Sequence, residues 1–236
     1  MLAVAGGKGG AGKTTTTLGL AGALARQRRV VLTADADREM PDLHAMAGVA
    51  RRPGLDAVAA GWSSRFAAGV ADAPTCGVRV LPAGSGPADG RATGRSPPDS
   101  DVAAVGRAEE WADSVLLDCP AGAGPDAVAP LRAADAVVVV TTAEPACLRD
   151  TAKTAAMARE LGTPVAGAVV SRATEAPEGV SRLLECPLLG TVPDAGITPC
   201  EKSGDGPPSS DRDPLADERV RSAHDRLVSA LQPKYL

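Results

Sequence analysis

Gly6-Gly7-Lys8-Gly9-Gly10-Ala11-Gly12-Lys13-Thr14-Thr15 is the stretch that decides the fold. It follows the apolar run Leu2-Ala3-Val4-Ala5 and opens a segment over 14–27 with helical composition. From Gly7 to Thr14 it satisfies G-x-x-x-x-G-K-[ST], a pattern that carries meaning when it joins a strand to a helix, as here. Glycines let the main chain wrap closely around a phosphate chain with its N–H groups turned inward, and the positive end of the following helix adds a favourable field. In such a loop Lys13 reaches β- and γ-phosphate oxygens and the Thr14 hydroxyl ligates Mg²⁺. Gly7, Lys8, Gly9, Gly10, Ala11, Gly12, Lys13, Thr14 and Thr15 are the candidate phosphate-binding residues.

Outward from this loop, short apolar runs alternate with longer helix-like stretches, the signature of βαβ units. The reading places strands near 2–6, 29–33, 78–82, 114–118, 136–142, 165–170 and 188–192, and helices most clearly over 14–27, 126–133 and 147–161. Val137-Val138-Val139-Val140 and Val115-Leu116-Leu117 are unbroken apolar runs, as expected of central strands covered on both faces. The expected architecture is therefore α/β, a mostly parallel β-sheet with helices on both faces, in three α/β/α layers. The stretches 83–100 and 203–213, rich in Gly, Pro, Ser and Asp, are expected to be flexible surface loops. After the second, Asp213 is placed to cap and Pro214 to start a last helix, with Val220, Leu227, Val228 and Leu231 on one face and an end at Pro233.

The 236 residues suffice for one sizeable α/β core, so a single domain over 1–236 is expected. Aromatic residues make up only 2%, which leaves the core to Ala, Val and Leu and provides few platforms on which bases could stack. A net charge of -4 argues against a protein whose main work is to coat nucleic acid or an anionic membrane. Cys76, Cys119, Cys147, Cys186 and Cys200 are odd in number, widely spaced and never Cys-x-x-Cys, which fits neither a disulfide framework nor a zinc site and points to a reducing, cytoplasmic setting. No apolar run approaches the roughly 20 residues of a membrane span, and with only five residues before the glycine loop neither a membrane span nor a signal peptide is expected.

Lys8 is a second lysine inside the loop, and with it the sequence resembles the deviant Walker A ATPases of the MinD/ParA family, P-loop NTPases whose loops carry this extra signature lysine. The resemblance spans nearly the whole chain. It implies ATP and Mg²⁺ as ligands, slow ATP hydrolysis, and an ATP-bound homodimer in which Lys8 reaches phosphates across the subunit interface. Asp35-Ala36-Asp37, after the second strand, is similar to the family's switch I; the resemblance implies that Asp37 helps catalysis by positioning the attacking water or the magnesium shell, and that Asp35 serves magnesium or structural support. Val115-Leu116-Leu117-Asp118-Cys119-Pro120-Ala121-Gly122 is similar to its Walker B and switch II element, with Asp118 toward the magnesium shell. Catalysis is thus assigned to Lys8, Lys13 and Asp37, and the metal to Thr14, Asp35 and Asp118.

Pro187-Leu188-Leu189-Gly190-Thr191-Val192-Pro193-Asp194 is similar to the family's last strand and adenine-side turn. The family's Asn-Arg after strand six is replaced by Ser171-Arg172, and a serine hydroxyl cannot make an amide's paired donor and acceptor contacts. Base selectivity is then weaker or carried by backbone near Pro193, with Ser171, Arg172, Pro193 and Asp194 as the candidate base-side set. The resemblance also implies an unidentified protein activator or cargo. The terminal Gln232-Pro233-Lys234-Tyr235-Leu236 carries no basic amphipathic segment of the kind that anchors membrane-cycling members. The function the resemblance implies is an ATP-dependent dimerisation switch with slow, partner-stimulated hydrolysis, acting in intracellular positioning, cell division or regulation. Arg26, Arg28, Arg29, Arg51 and Arg52 are the residues from which a DNA-binding surface could be built, a less favoured reading, and a non-hydrolysing adaptor is a further alternative. His44 and His224 stand alone and are read as structural.

Overall fold

A computed structural model of the chain describes residues 1–72, 74–75, 77–84, 102, 105–195, 213–231 and 235. The expected loops over 83–100 and 203–213 lie almost wholly outside these residues, as do Cys76, Cys200 and Pro233. The strands are β1 (Leu2–Gly6), β2 (Val31–Asp35), β3 (Gly69–Val70), β4 (Arg79–Leu81), β5 (Ser114–Ala121), β6 (Ala136–Thr141), β7 (Val165–Ser171) and β8 (Leu188–Val192). They form one sheet in the order β3-β4-β2-β5-β1-β6-β7-β8. Every pairing is parallel except that of β3 with β4.

The helices are α1 (Lys13–Arg26), α2 (Leu43–Met46), α3 (Leu55–Ala59), α4 (Ser64–Ala67), α5 (Val128–Ala133), α6 (Pro145–Glu160), α7 (Val180–Leu184) and α8 (Glu218–Ala230). Because strand side chains alternate between faces, Leu2, Val4, Val138 and Val140 join one core with Leu18, Leu24 and Leu227, while Ala3, Ala5, Val137 and Val139 join the other with Leu131, Ala155 and Leu184. The unbroken valine run is thus covered on both faces, and the buried apolar set is built from Ala, Val and Leu, with Trp62 and Phe66 58% and 83% exposed.

The second strand begins two residues later than expected. Gln27 closes α1, Arg28 takes a left-handed turn at φ 65°, and Val30 remains 46% exposed, so pairing starts at Val31 and runs on to Asp35. The fourth expected strand continues past Asp118 to Ala121, because Gly6 pairs with Ala121 beyond a register shift in β1 and the Gly122 amide donates to the Gly6 carbonyl at 2.8 Å. The two-residue edge strand β3 is too short to leave a periodic signal in the sequence. Asp213 does cap and Pro214 does start a turn, but a 3₁₀ turn over Pro214–Ala216; Asp217 caps α8, which ends at Ala230 rather than at Pro233.

α8 lies on α1, the helix that follows the phosphate loop, and His224 fills their interface. A Cβ on Gly19 of α1 would come within 2.4 Å of the imidazole ring, so only glycine admits it. His224 Nδ1 lies 2.8 Å from the Val220 carbonyl, Nε2 has no partner among the described residues, and burial first of all pushes the ring's pKa down to about 4, which keeps it neutral and structural. No helix among the described residues is long and apolar enough to cross a membrane.

Candidate nucleotide site

The loop between β1 and α1 sits at the carboxyl ends of the parallel strands, near the middle of the sheet, where open α/β folds place their ligands. Its course is fixed from below and from the side. Gly7 runs against α6 so closely that a Cβ would lie 2.1 Å from the Asp150 carbonyl carbon, and its amide donates to Thr151 Oγ1 at 3.3 Å. Gly12 caps α1 at φ 88°, a left-handed conformation that disfavours side chains. Ser171 Oγ supports this turn: it lies 2.5 Å from the Ala11 carbonyl, to which it donates, and 3.2 Å from the Thr141 carbonyl. Lys13 is buried, Thr14 and Thr15 half-buried, and Lys8, Gly9 and Gly10 are exposed.

The carboxylates expected to face a cation converge beside the loop. Asp35 and Asp118 occupy paired positions on adjacent strands β2 and β5, and both are buried. Asp35 accepts the amides of Asp37 at 3.1 Å and Leu43 at 3.3 Å. Asp118 accepts the Thr17 hydroxyl at 3.0 Å. Burial, then the charge of Asp118, pushes the Asp35 pKa up to about 8; burial pushes Asp118 up to about 7 against the Thr14 and Thr17 hydroxyls and Lys13, which favour its ionised form. Two buried carboxyls that resist ionisation side by side form a site short of positive charge. Among the described residues no three His, Cys, Asp or Glu side chains gather into a cage able to hold a metal ion alone. One hydroxyl with carboxylates behind it fits Mg²⁺, which keeps waters and takes its other ligands from phosphate oxygens. Thr14 would touch the ion, and Asp35 and Asp118 would hold its waters.

Asp37 is turned into its own loop, where its Oδ1 accepts the amides of Glu39 at 3.2 Å and Met40 at 2.9 Å. Lys8 Nζ lies 3.4 Å from Glu144 Oε2 of the same chain, an exposed pair with side chains 54% and 67% accessible. On the expected base side, the turns after β7 and β8 are tied by the Ala173 amide, which donates to the Val192 carbonyl at 3.0 Å. This brings Ser171 and Arg172 beside Pro193 and Asp194, although the Ser171 hydroxyl is spent on the loop.

Three contributors were not singled out in the sequence. Thr17 and Thr151 brace Asp118 and Gly7 from helix interiors; the run Thr14-Thr15-Thr16-Thr17 at a helix start, unfavourable for helix propensity, was the one available signal. Asp42 accepts the Thr14 hydroxyl at 3.0 Å, and its Pro-Asp-Leu context looked like an ordinary helix start. The arginines do not form one surface: Arg26 pairs with Asp225 at 2.7 Å and Arg29 donates to the Asp113 carbonyl at the amino end of β5, whereas Arg51 donates to Gly84 beyond the carboxyl end of β4. Cys119, Cys147 and Cys186 are buried free thiols.

Comparison with known proteins agrees with this geometry. The family model for the CobQ/CobB/MinD/ParA nucleotide binding domain matches residues 2–195. An uncharacterized ATP-binding protein of Methanocaldococcus jannaschii is 33% identical over 199 residues, 82% of this chain and 74% of that protein. The septum site-determining protein MinD of Synechocystis is 31% identical over 208 residues, 82% and 76% of the two chains. Among solved structures, MinD of Pyrococcus horikoshii complexed with Mg-ADP superposes with a TM-score of 0.74 at 23% identity, over 96% of this chain and 93% of that one. The MinC:MinD complex of Aquifex aeolicus gives 0.73 at 20% identity, over 97% and 93%. With the family model matched over residues 2–195 and a relative 33% identical over 82% of its length, the chain belongs to the MinD/ParA family of P-loop nucleotide-binding domains.

Proposed function

We propose that the chain is an ATP-dependent dimerisation switch with slow hydrolysis stimulated by a partner, acting in intracellular positioning or regulation. The observation that carries this reading is the buried pair Asp35 and Asp118, held short of positive charge beside Lys13 and Thr14 at the mouth of a phosphate loop. Bound with the nucleotide, magnesium neutralises phosphate oxygens. The loop amides and Lys13 hold the triphosphate, Thr14 faces the ion, and Asp118, through the loop ending at Gly122, senses the terminal phosphate. Asp37 positions water once it leaves the amides of Glu39 and Met40, so the isolated chain is expected to turn over slowly. Lys8, on the exposed rim, is free to exchange Glu144 for phosphates of a second copy. The MinC:MinD complex, formed by a protein of the same fold, supports recruitment of a protein partner.

Single-turnover hydrolysis of ATP by wild type and Asp37→Ala tests the enzyme. Turnover lost in the variant is expected, and no turnover by wild type with candidate partners leaves a non-hydrolysing adaptor instead. Sedimentation with a slowly hydrolysed analogue tests the switch: wild type dimerises, Lys8→Ala stays monomeric, and an unchanged variant dimer refutes the role of Lys8.

A further inference from the structure

Asp42 occupies the position before α2 at which an aspartate ordinarily caps a helix, yet its carboxylate makes no capping bond. It is turned instead to the phosphate loop, where it accepts the Thr14 hydroxyl at 3.0 Å. The next residue, Leu43, donates its amide to Asp35 at 3.3 Å, and Asp35 is paired in register with Asp118. Asp118 in turn accepts Thr17, one helical turn beyond Thr14 on α1. The Thr14 hydroxyl thus meets the carboxylate of Asp42 directly, beside Asp118, whose ionised form it also favours.

Resting on the nucleotide reading above, we propose that Asp42 is a positioning residue that makes nucleotide uptake depend on magnesium. A hydroxyl that gives its proton to a carboxylate turns its lone pairs outward, toward a cation, and does so with increased electron density. The same negative charge repels phosphates that arrive without a cation. Its field already reaches both neighbouring sites, since it helps raise the pKa values of Asp35 and Asp118. Asp42 therefore has opposite effects on the two forms of the ligand, which a capping or packing role would not produce.

Calorimetry with ADP, once in excess Mg²⁺ and once in EDTA, reads the effect as the ratio of the two dissociation constants. Asp42→Asn keeps an acceptor for Thr14 and removes the charge. Its ratio is expected to fall at least fivefold below that of wild type, with weaker binding in Mg²⁺ and equal or tighter binding in EDTA. Asp42→Glu restores the charge and at least part of the ratio. A ratio unchanged in Asp42→Asn overturns the proposal, whether or not both affinities drop together. Wild type that takes up ADP under neither condition overturns the nucleotide reading and this inference with it.

Discussion

The two sides of the loop are built differently. On the proposed cation side, Thr14, Thr17, Asp35 and Asp118 project from strands and a helix that are themselves buried, and each side chain is held by a partner. On the base side, the turns after β7 and β8 offer backbone, an exposed Arg172 at φ 53°, and a serine whose hydroxyl faces the other way. The proposed phosphate and cation groups are therefore preorganised in the core, whereas on the proposed base side the described side chain of Ser171 is turned to the loop.

The sharpest break in this contrast is removal of the buried cation at its centre. Lys13→Ala should weaken ADP binding in Mg²⁺ by about 100-fold, the loss of charge-assisted contacts worth about 1.5–3 kcal/mol, as read by calorimetry. A drop of less than threefold would mean that amides alone hold the phosphates.

A second test concerns the buried carboxyls without ligand. Their folded pKa values, about 7 and about 8, lie above the ordinary 3.8, so the folded chain keeps protons that the unfolded chain loses. Their favourable contribution is whole below about pH 4 and is lost as pH rises through 7 to 8. Asp118→Asn should accordingly melt about 5 °C above wild type at pH 8 in EDTA, with the difference vanishing near pH 4. A gap independent of pH would show that Asp118 is already balanced by its neighbours.

The smallest expected effect sharpens the base side. Ser171→Ala should lower stability by about 1–2 kcal/mol through the orphaned Ala11 carbonyl, measured by urea unfolding. Competition between ATP and GTP should shift less than about twofold, because the hydroxyl takes no part in base recognition. A larger shift would return Ser171 to the base.

Much of this was legible in the chain. The loop, the central strands and the two-faced burial of Val137 to Val140 follow from neighbours a few residues apart, and so did Asp118 at the end of an apolar run. The shift of β2 was not, since it depends on how α1 closes at Arg28. Neither was Asp42, because its partner Thr14 is 28 residues away and the local pattern suggests only a cap.

The sequence by itself determined the phosphate loop and the alternation of strand and helix, because both are written in contiguous residues through backbone freedom and periodic burial. Tertiary structure alone decided which carboxylates share one desolvated site, that Ser171 faces the loop, and that Lys8 rests on Glu144. Those outcomes depend on register between strands far apart in sequence, and only packing brings such groups close enough for charge and hydrogen bonding to act.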